Sequence, residues 1–434
     1  MNPSYIKFAL KKIVSSMEHN PDPFVEKPGV DFSRNRIFTL SKLTYCTLSM
    51  ENHSINKELR RFFSYDTDRL PTKSAFIMQR KKLKGNAFPH ILDSLNNLFP
   101  FRKKYHGFHL LACDGSDLNL PPLPGDAKTF VPSNTAGVGS YQLHLNALYD
   151  ILEKRYTDVE IQNRTEIDER KAFLEMVSRN RLPGKNLFIA DCGYISVNVI
   201  ARLLHMDQFF LIRAKDLAGE RSFLKRFSLP DTNEFDHPIQ FDVTRSNKKC
   251  YRKHPEKFFI QRKDRPFDLI PLGDTSSCFS ISIRVVKIDL GDNSEYLITN
   301  LPVNKFGIKE LKELYHLRWG IETSFRFLKY TVALNSLHSV LRKLIHQEIY
   351  ARLILYNASL LMANCVNVRQ TSKKYTLKVS VSDAIDICRN YLVSHLKNKT
   401  VKELLLRYRT EIRPDRSFQR KVRAKRFVPL TNRA

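Results

Sequence analysis

Two short apolar runs constrain this chain more than any other feature. His109-Leu-Leu-Ala-Cys-Asp114 and Asn186-Leu-Phe-Ile-Ala-Asp191 each stay apolar up to a terminal aspartate, and a glycine follows within two positions, Gly115 and Gly193. An apolar run of this length without alternation reads as a strand covered on both faces, as in a sheet flanked by helices. Between the runs, Tyr141 to Tyr149 alternates and Arg155 to Ile161 reads as its hairpin partner. Helical patterns cover Asp168 to Arg179 and Ser196 to Met206, and Gln208 to Ala214 reads as a further strand. This order predicts a mixed α/β sheet with an antiparallel start.

The flanks have a different texture. Residues 1–105 read as short helices separated by breakers, with Thr72 capping one that ends near Leu83 and carries the basic flank Arg80, Lys81, Lys82 and Lys84. Paired with the helix Ile55 to Phe63, it suggests helix-turn-helix docking on DNA through Arg80 and Lys81, against a plain solvated basic face. Residues 106–215 form the first half of the α/β core and 216–292 a β-rich insertion. Residues 293–333 complete the core with a long helix, Ile308 to Lys329. The helices of 334–434 include Val340 to Ala363 and end in a tail, Arg407 to Ala434, with ten Lys/Arg against Glu411 and Asp415.

Charge narrows the partner. The 434 residues carry 72 Lys plus Arg against 44 Asp plus Glu, a formal +28. Such a field draws polyanions, and nucleic acid is the natural one because each neutralised phosphate releases counterions. A membrane is not expected, since no segment approaches the roughly eighteen apolar residues of a spanning helix. The N-terminus lacks an apolar signal core, which suggests no secretion. Cysteines 46, 113, 192, 250, 278, 365 and 388 are scattered without a Cys-x-x-Cys pair, so reduced, mostly buried thiols of a cytoplasmic protein are expected.

The helix around Glu322 carries the most chemistry. Tyr315, Arg318, Glu322, Arg326 and Lys329 fall within an arc of about 80° on an ideal helix. Leu314, Leu317, Ile321, Phe325 and Leu328 lie beside them, toward a core. Ion pairing on a surface helix would explain some of this. One carboxylate among three cations is poor pairing, however, and suits a metal ligand with cations and a phenol on neighbouring phosphates. Asp114 and Asp191 end strands, where open α/β sheets place their ligands. Each could also be a turn-former or a helix cap. Together the three carboxylates could hold two divalent ions that clamp a phosphodiester. Asp117 is a rival ligand, whereas His106, His109, His144 and Asp150 match no metal spacing and read as structural.

Asp114-Gly-Ser, Asp191-x-Gly-Tyr and Tyr315-x2-Arg318-x3-Glu322-x6-Lys329 resemble the DDE transposases of bacterial insertion sequences. The last string resembles the Tyr-Arg-Glu-Lys signature of insertion-sequence family four. The resemblance implies a ribonuclease-H-like core interrupted by a β-rich insertion. It also implies Asp114, Asp191 and Glu322 as ligands of two Mg2+ or Mn2+ ions, with Tyr315, Arg318 and Lys329, and more weakly Arg326, on DNA phosphates. The implied partners are the inverted-repeat ends of a transposon and its target DNA, bound by a homodimer in the synaptic complex, in a bacterial cytoplasm at the nucleoid. A non-catalytic DNA-binding descendant, or a nuclease without strand transfer, would share the fold. Relatives that form a DNA hairpin stack a flipped base on an aromatic residue at the end of the insertion. Here Trp319 lies in the signature helix, and only Glu295 and Tyr296 stand near the corresponding strand.

Overall fold

The two apolar runs form neighbouring parallel strands, and the sheet grows outward from them. The computed structural model describes residues 2–34, 36–133, 139–215, 222–291, 293–370, 375–393 and 396–412. The chain begins with α1 (Pro3–His19), α2 (Leu40–Ser49), α3 (Ile55–Phe62), α4 (Lys73–Lys81) and α5 (Ala87–Leu98). Then come β1 (Phe108–Asn119), β2 (Phe130–Val131), β3 (Ser140–Asp150), β4 (Arg155–Asn163), α6 (Glu169–Arg179), β5 (Lys185–Ala190), α7 (Val197–His205) and β6 (Phe209–Ala214). Next are β7 (Phe235–Thr244), α8 (Lys249–Arg252), β8 (Phe258–Ile260), β9 (Cys278–Asp289), β10 (Ser294–Thr299), α9 (Ile308–Leu317) and α10 (Trp319–Arg326). The described chain closes with α11 (Arg342–Ala363), β11 (Thr376–Val379), α12 (Val381–Val393), α13 (Asn398–Arg407) and β12 (Arg409–Ile412).

The chain divides into two compact units. One gathers Met1–Pro100, Leu118–Leu143 and Ser324–Ala434. Its axis is α11, buried around its circumference over nearly its whole length, against which α1, α2, α4, α5 and α12 pack. Arg80, expected to face DNA, is instead fully buried in this unit. It donates to Glu348 Oε1 at 2.8 Å, Gln347 Oε1 at 3.1 Å, Ser339 Oγ at 3.2 Å and the Leu344 carbonyl at 2.6 Å. A buried guanidinium needs such a set of acceptors, so Arg80 leaves the DNA-facing set. Lys81, one position on, is exposed, as are Lys73, Ser74 and Met78. Thr72 caps α4 as expected, accepting the Ala75 N–H at 3.1 Å.

The second unit, Phe101–Asp117 with His144–Thr323, holds the sheet, in the strand order β4-β3-β1-β5-β6-β10-β9-β7-β8. β5 runs parallel to β1 and to β6, while β10 lies antiparallel to β6 and to β9. The strands β7, β8 and β9, expected as an insertion, continue this same sheet past β10. Alternation sorts the side chains of the central strands. Leu111, Cys113, Phe188 and Ala190 share a buried cluster with Phe173 and Val177 of α6 and Val199, Ile200 and Leu203 of α7. Leu110, Ala112, Leu187 and Ile189 point to the other face and are equally buried.

Two expectations need correction. The long helix Ile308 to Lys329 is broken at Arg318, where the turn tightens: Arg318 N–H donates to Tyr315 O and Ile321 N–H to Arg318 O, both at 3.1 Å. Beyond Arg326 it widens, and Val332 N–H reaches Phe327 O at 2.9 Å. The ideal wheel therefore fails locally. Leu317 is 37% exposed, while Tyr315 and Arg318 are only 4% and 6% exposed. Nor are the thiols mostly buried: Cys46, Cys113 and Cys388 are, but Cys250 and Cys278 are exposed and Cys192 and Cys365 half-buried. Among the described residues no helix is long and apolar enough to cross a membrane. Most of the basic tail, 413–434, lies outside the described residues.

Candidate active site

Strand register brings the two aspartates together. The last paired residues of β1 and β5 are Cys113 and Ala190, so Asp114 and Asp191 lie side by side one position past the paired stretch. Asp191 follows the end of β5, whereas Asp114, expected to end its strand, sits within β1, which runs on to Asn119. In-register residues on such strands lie about 4.8 Å apart. Alternation sends Asp114 to the face away from α6 and α7. Local bonds fix both carboxylates: Asp114 Oδ1 accepts the Gly115 N–H at 2.9 Å, and Asp191 Oδ1 the Gly193 N–H at 2.8 Å.

The third carboxylate comes from α10. Arg318 donates to Glu322 Oε1 at 2.9 Å, and its guanidinium packs over the Tyr315 and Trp319 rings at 5.4 and 5.8 Å. Asp114 feels the other two acids. Burial, reinforced by the charges of Asp191 and Glu322, pushes the Asp114 carboxyl up to about 6, against the Gly115 N–H and Arg318, which draw it down. Arg318 Nε and the Tyr315 hydroxyl are buried without a well-formed hydrogen bond. Burial also raises the Tyr315 phenol above its usual range.

The donor chemistry suits a hard divalent cation. The site offers carboxylate oxygens, two of them side by side on neighbouring strands, and a repulsion at Asp114 that a cation would relieve. Among the described residues no three His, Cys, Asp or Glu side chains are gathered tightly enough to ligate one ion, and Glu322 is turned to Arg318. Of the other expected residues, Arg326 is exposed and Lys329 half-buried. Tyr296 is 6% exposed with its ring beside Phe235, and Glu295 pairs with Arg213 at 3.5 Å, so neither stands ready to stack on a base. Trp319 is 47% exposed.

His144, read as structural, and Asp117, the rival ligand, lie behind the aspartates. His144 Nδ1 bonds Asp117 Oδ1 at 2.7 Å and its Nε2 bonds Glu169 Oε1 at 3.1 Å, which occupies Asp117 away from Asp114's face. Burial alone would lower the imidazole, but the two carboxylates raise it to about 9. The sequence signal was present. His144, like Asp117, lies in step with the α6-facing positions of its strand, and Glu169 follows the helix cap Asp168, which accepts the Lys171 N–H at 3.0 Å.

No curated protein matches the chain. A solved structure, the cryo-EM structure of piggyBac transposase synaptic complex with hairpin DNA, is similar over 93% of this chain and 84% of that one, with a TM-score of 0.44 and 10% identity. The model of the transposase DDE domain matches residues 106–358, well over half of the 434 residues and inclusive of all three carboxylates. The chain thus belongs to the transposase DDE domain family.

Proposed function

We propose that this protein is a cut-and-paste DNA transposase whose two divalent ions, Mg2+ or Mn2+, are held by Asp114, Asp191 and Glu322. The observation that carries the reading is the register that sets Asp114 beside Asp191, with the charge of Glu322 felt at Asp114. The order β4-β3-β1-β5-β6, in which β5 and β6 run parallel to β1, supports a ribonuclease-H-like core. The spacing of Tyr315, Arg318, Glu322 and Lys329 supports assignment to insertion-sequence family four. Its setting would be the bacterial cytoplasm.

The residues divide the work. Bound at these carboxylates, the cations would polarise the scissile phosphate and the attacking oxygen. Arg318 holds Glu322 in place and keeps one donor, Nε, unspent in a buried position. With the Tyr315 hydroxyl it would bind phosphate oxygens of a transposon end, where a charge-assisted bond at low dielectric is strong. Arg326 and Lys329 would also bind DNA phosphates, and Lys81 with Lys73 on α4 would contact the inverted repeat. Two copies of the chain would pair the ends in the synaptic complex before joining them to target DNA.

The test is a reaction of purified protein with DNA carrying the repeats that flank its coding sequence. Metal-dependent nicking at the repeat boundary, followed by joining to a second DNA, supports the reading. Binding without cleavage in Mg2+ and Mn2+ would make it a DNA-binding descendant, and cleavage without joining a nuclease.

A further inference from the structure

Immediately behind the aspartates, on the α6 side of the sheet, the first turn of α6 reaches both aspartate-bearing segments. Glu169 Oε1 takes His144 Nε2 at 3.1 Å, and the other ring nitrogen holds Asp117, three residues past Asp114 on the same strand. The next residue, Arg170, donates from Nε to the Gly193 carbonyl at 3.0 Å, two residues past Asp191. Space confirms the fit. A Cβ at Gly115 would stand 2.4 Å from His144 Nε2 and 2.8 Å from Glu169 Oε1, and one at Gly193 would stand 3.1 Å from Asp191 Oδ1 and 3.4 Å from Glu169 Oε2. Neither glycine is at a positive φ, so at Gly115 occupied space, not backbone freedom, excludes a side chain, and at Gly193 a side chain would be tight against Asp191. The geometry follows from alternation: Asp114 points to one face, and the following position points back into the His144–Glu169 pair.

We propose that His144, Glu169 and Arg170 are positioning residues that clasp the two aspartate-bearing strand segments together and so set the spacing of Asp114 and Asp191. This rests on the reading of those aspartates as metal ligands. Groups that orient ligands from behind typically change metal affinity or activity about 10- to 100-fold when removed. Gly115 and Gly193 are the sequence mark of the clasp, because any side chain at Gly115 must displace an imidazole anchored at both nitrogens.

The experiment uses the full chain, with cleavage measured on saturating prebound end DNA and Mn2+ affinity measured by electron paramagnetic resonance without DNA. His144→Ala and Glu169→Ala are expected to cut about 10- to 100-fold more slowly and to bind Mn2+ about 10-fold more weakly. End affinity should stay within about 2-fold, because the phosphate contacts lie elsewhere. Glu169→Gln, which still accepts the imidazole N–H, should recover most of the loss. Gly115→Ala should match His144→Ala, and the double variant should be no slower than either, since both remove one contact. Wild-type cleavage and Mn2+ binding by His144→Ala, alongside an inactive Asp114→Asn, would overturn the clasp alone. So would a Glu169→Gln as slow as Glu169→Ala. Full cleavage by Asp114→Asn would overturn the active-site reading and the clasp with it.

Discussion

Replacing Arg80 by methionine should unfold the protein more easily and leave its choice of DNA intact. Arg80 and Glu348 are both fully buried and meet at 2.8 Å. Burial opposes ionisation of Glu348, yet Arg80, with His338, holds its carboxyl well below the usual carboxylate range. Methionine keeps the volume, but Glu348 then loses its guanidinium and Gln347 Oε1 a donor. Breaking a buried pair in this way costs about 3–5 kcal/mol. For a unit of roughly 150–250 residues that corresponds to a melting temperature lower by about 6–20 °C. Pairing Arg80→Met with Glu348→Leu removes the stranded charge, so the double variant should lose less than the single. It still leaves the His338 N–H, which now donates to Glu348 Oε2 at 2.7 Å, without its acceptor. Calorimetry gives the stability, and gel-shift titration against the inverted repeat and random DNA gives the discrimination. A variant that melts like wild type but no longer prefers the repeat would refute this reasoning and return Arg80 to the DNA-facing surface.

Other outcomes follow from single sites. Asp150 is buried and its carboxyl is pushed up to about 7, chiefly by burial, so the folded state holds this proton more tightly than the unfolded chain. Its contribution to stability therefore falls as pH rises from about 4 to about 7, and Asp150→Asn should flatten that decline in denaturant titrations across the window. Arg318→Ala should free Glu322, slow cleavage of bound ends and reduce the salt slope of end binding by about one unit; an unchanged slope would place Arg318 off the phosphates. Deleting residues 413–434 should weaken binding to repeat and random DNA by the same factor, measured at low salt, whereas an altered ratio would mean that the tail reads sequence.

The strands were readable because a doubly covered strand leaves an unbroken apolar run, although β1 continues past the end of its run at Asp114 to Asn119. Helix starts were readable for a similar local reason: Thr72, Asp168 and Ser196 each accept an N–H of the first turn. What depended on distant partners was hidden. The basic flank Arg80 to Lys84 looks uniform in sequence, but Glu348 and Gln347 of α11, more than 260 positions away, select Arg80 for the interior. Arg318 likewise looks exposed on an ideal wheel, yet the tightened turn at its own position buries it. His144 was set aside because no metal spacing includes it. Its role emerges only when β1, β3 and α6 bring Asp117 and Glu169 to its two nitrogens.

The central claim concerns three carboxylates. Its most direct test is Mg2+-dependent strand cleavage at the repeat boundary by Asp114→Asn, Asp191→Asn and Glu322→Gln, each confirmed by gel shift to bind the end. Asparagine at 114 and 191 keeps the oxygen that accepts the Gly115 and Gly193 N–H groups, so the strand ends should remain in place while the charge is lost. All three variants are expected to bind ends within about 3-fold of wild type and to fall at least about 1000-fold in cleavage, the loss of roughly 4 kcal/mol of transition-state stabilisation. Near-wild-type cleavage by any one would contradict its place in the site, and near-wild-type cleavage by all three would contradict the account.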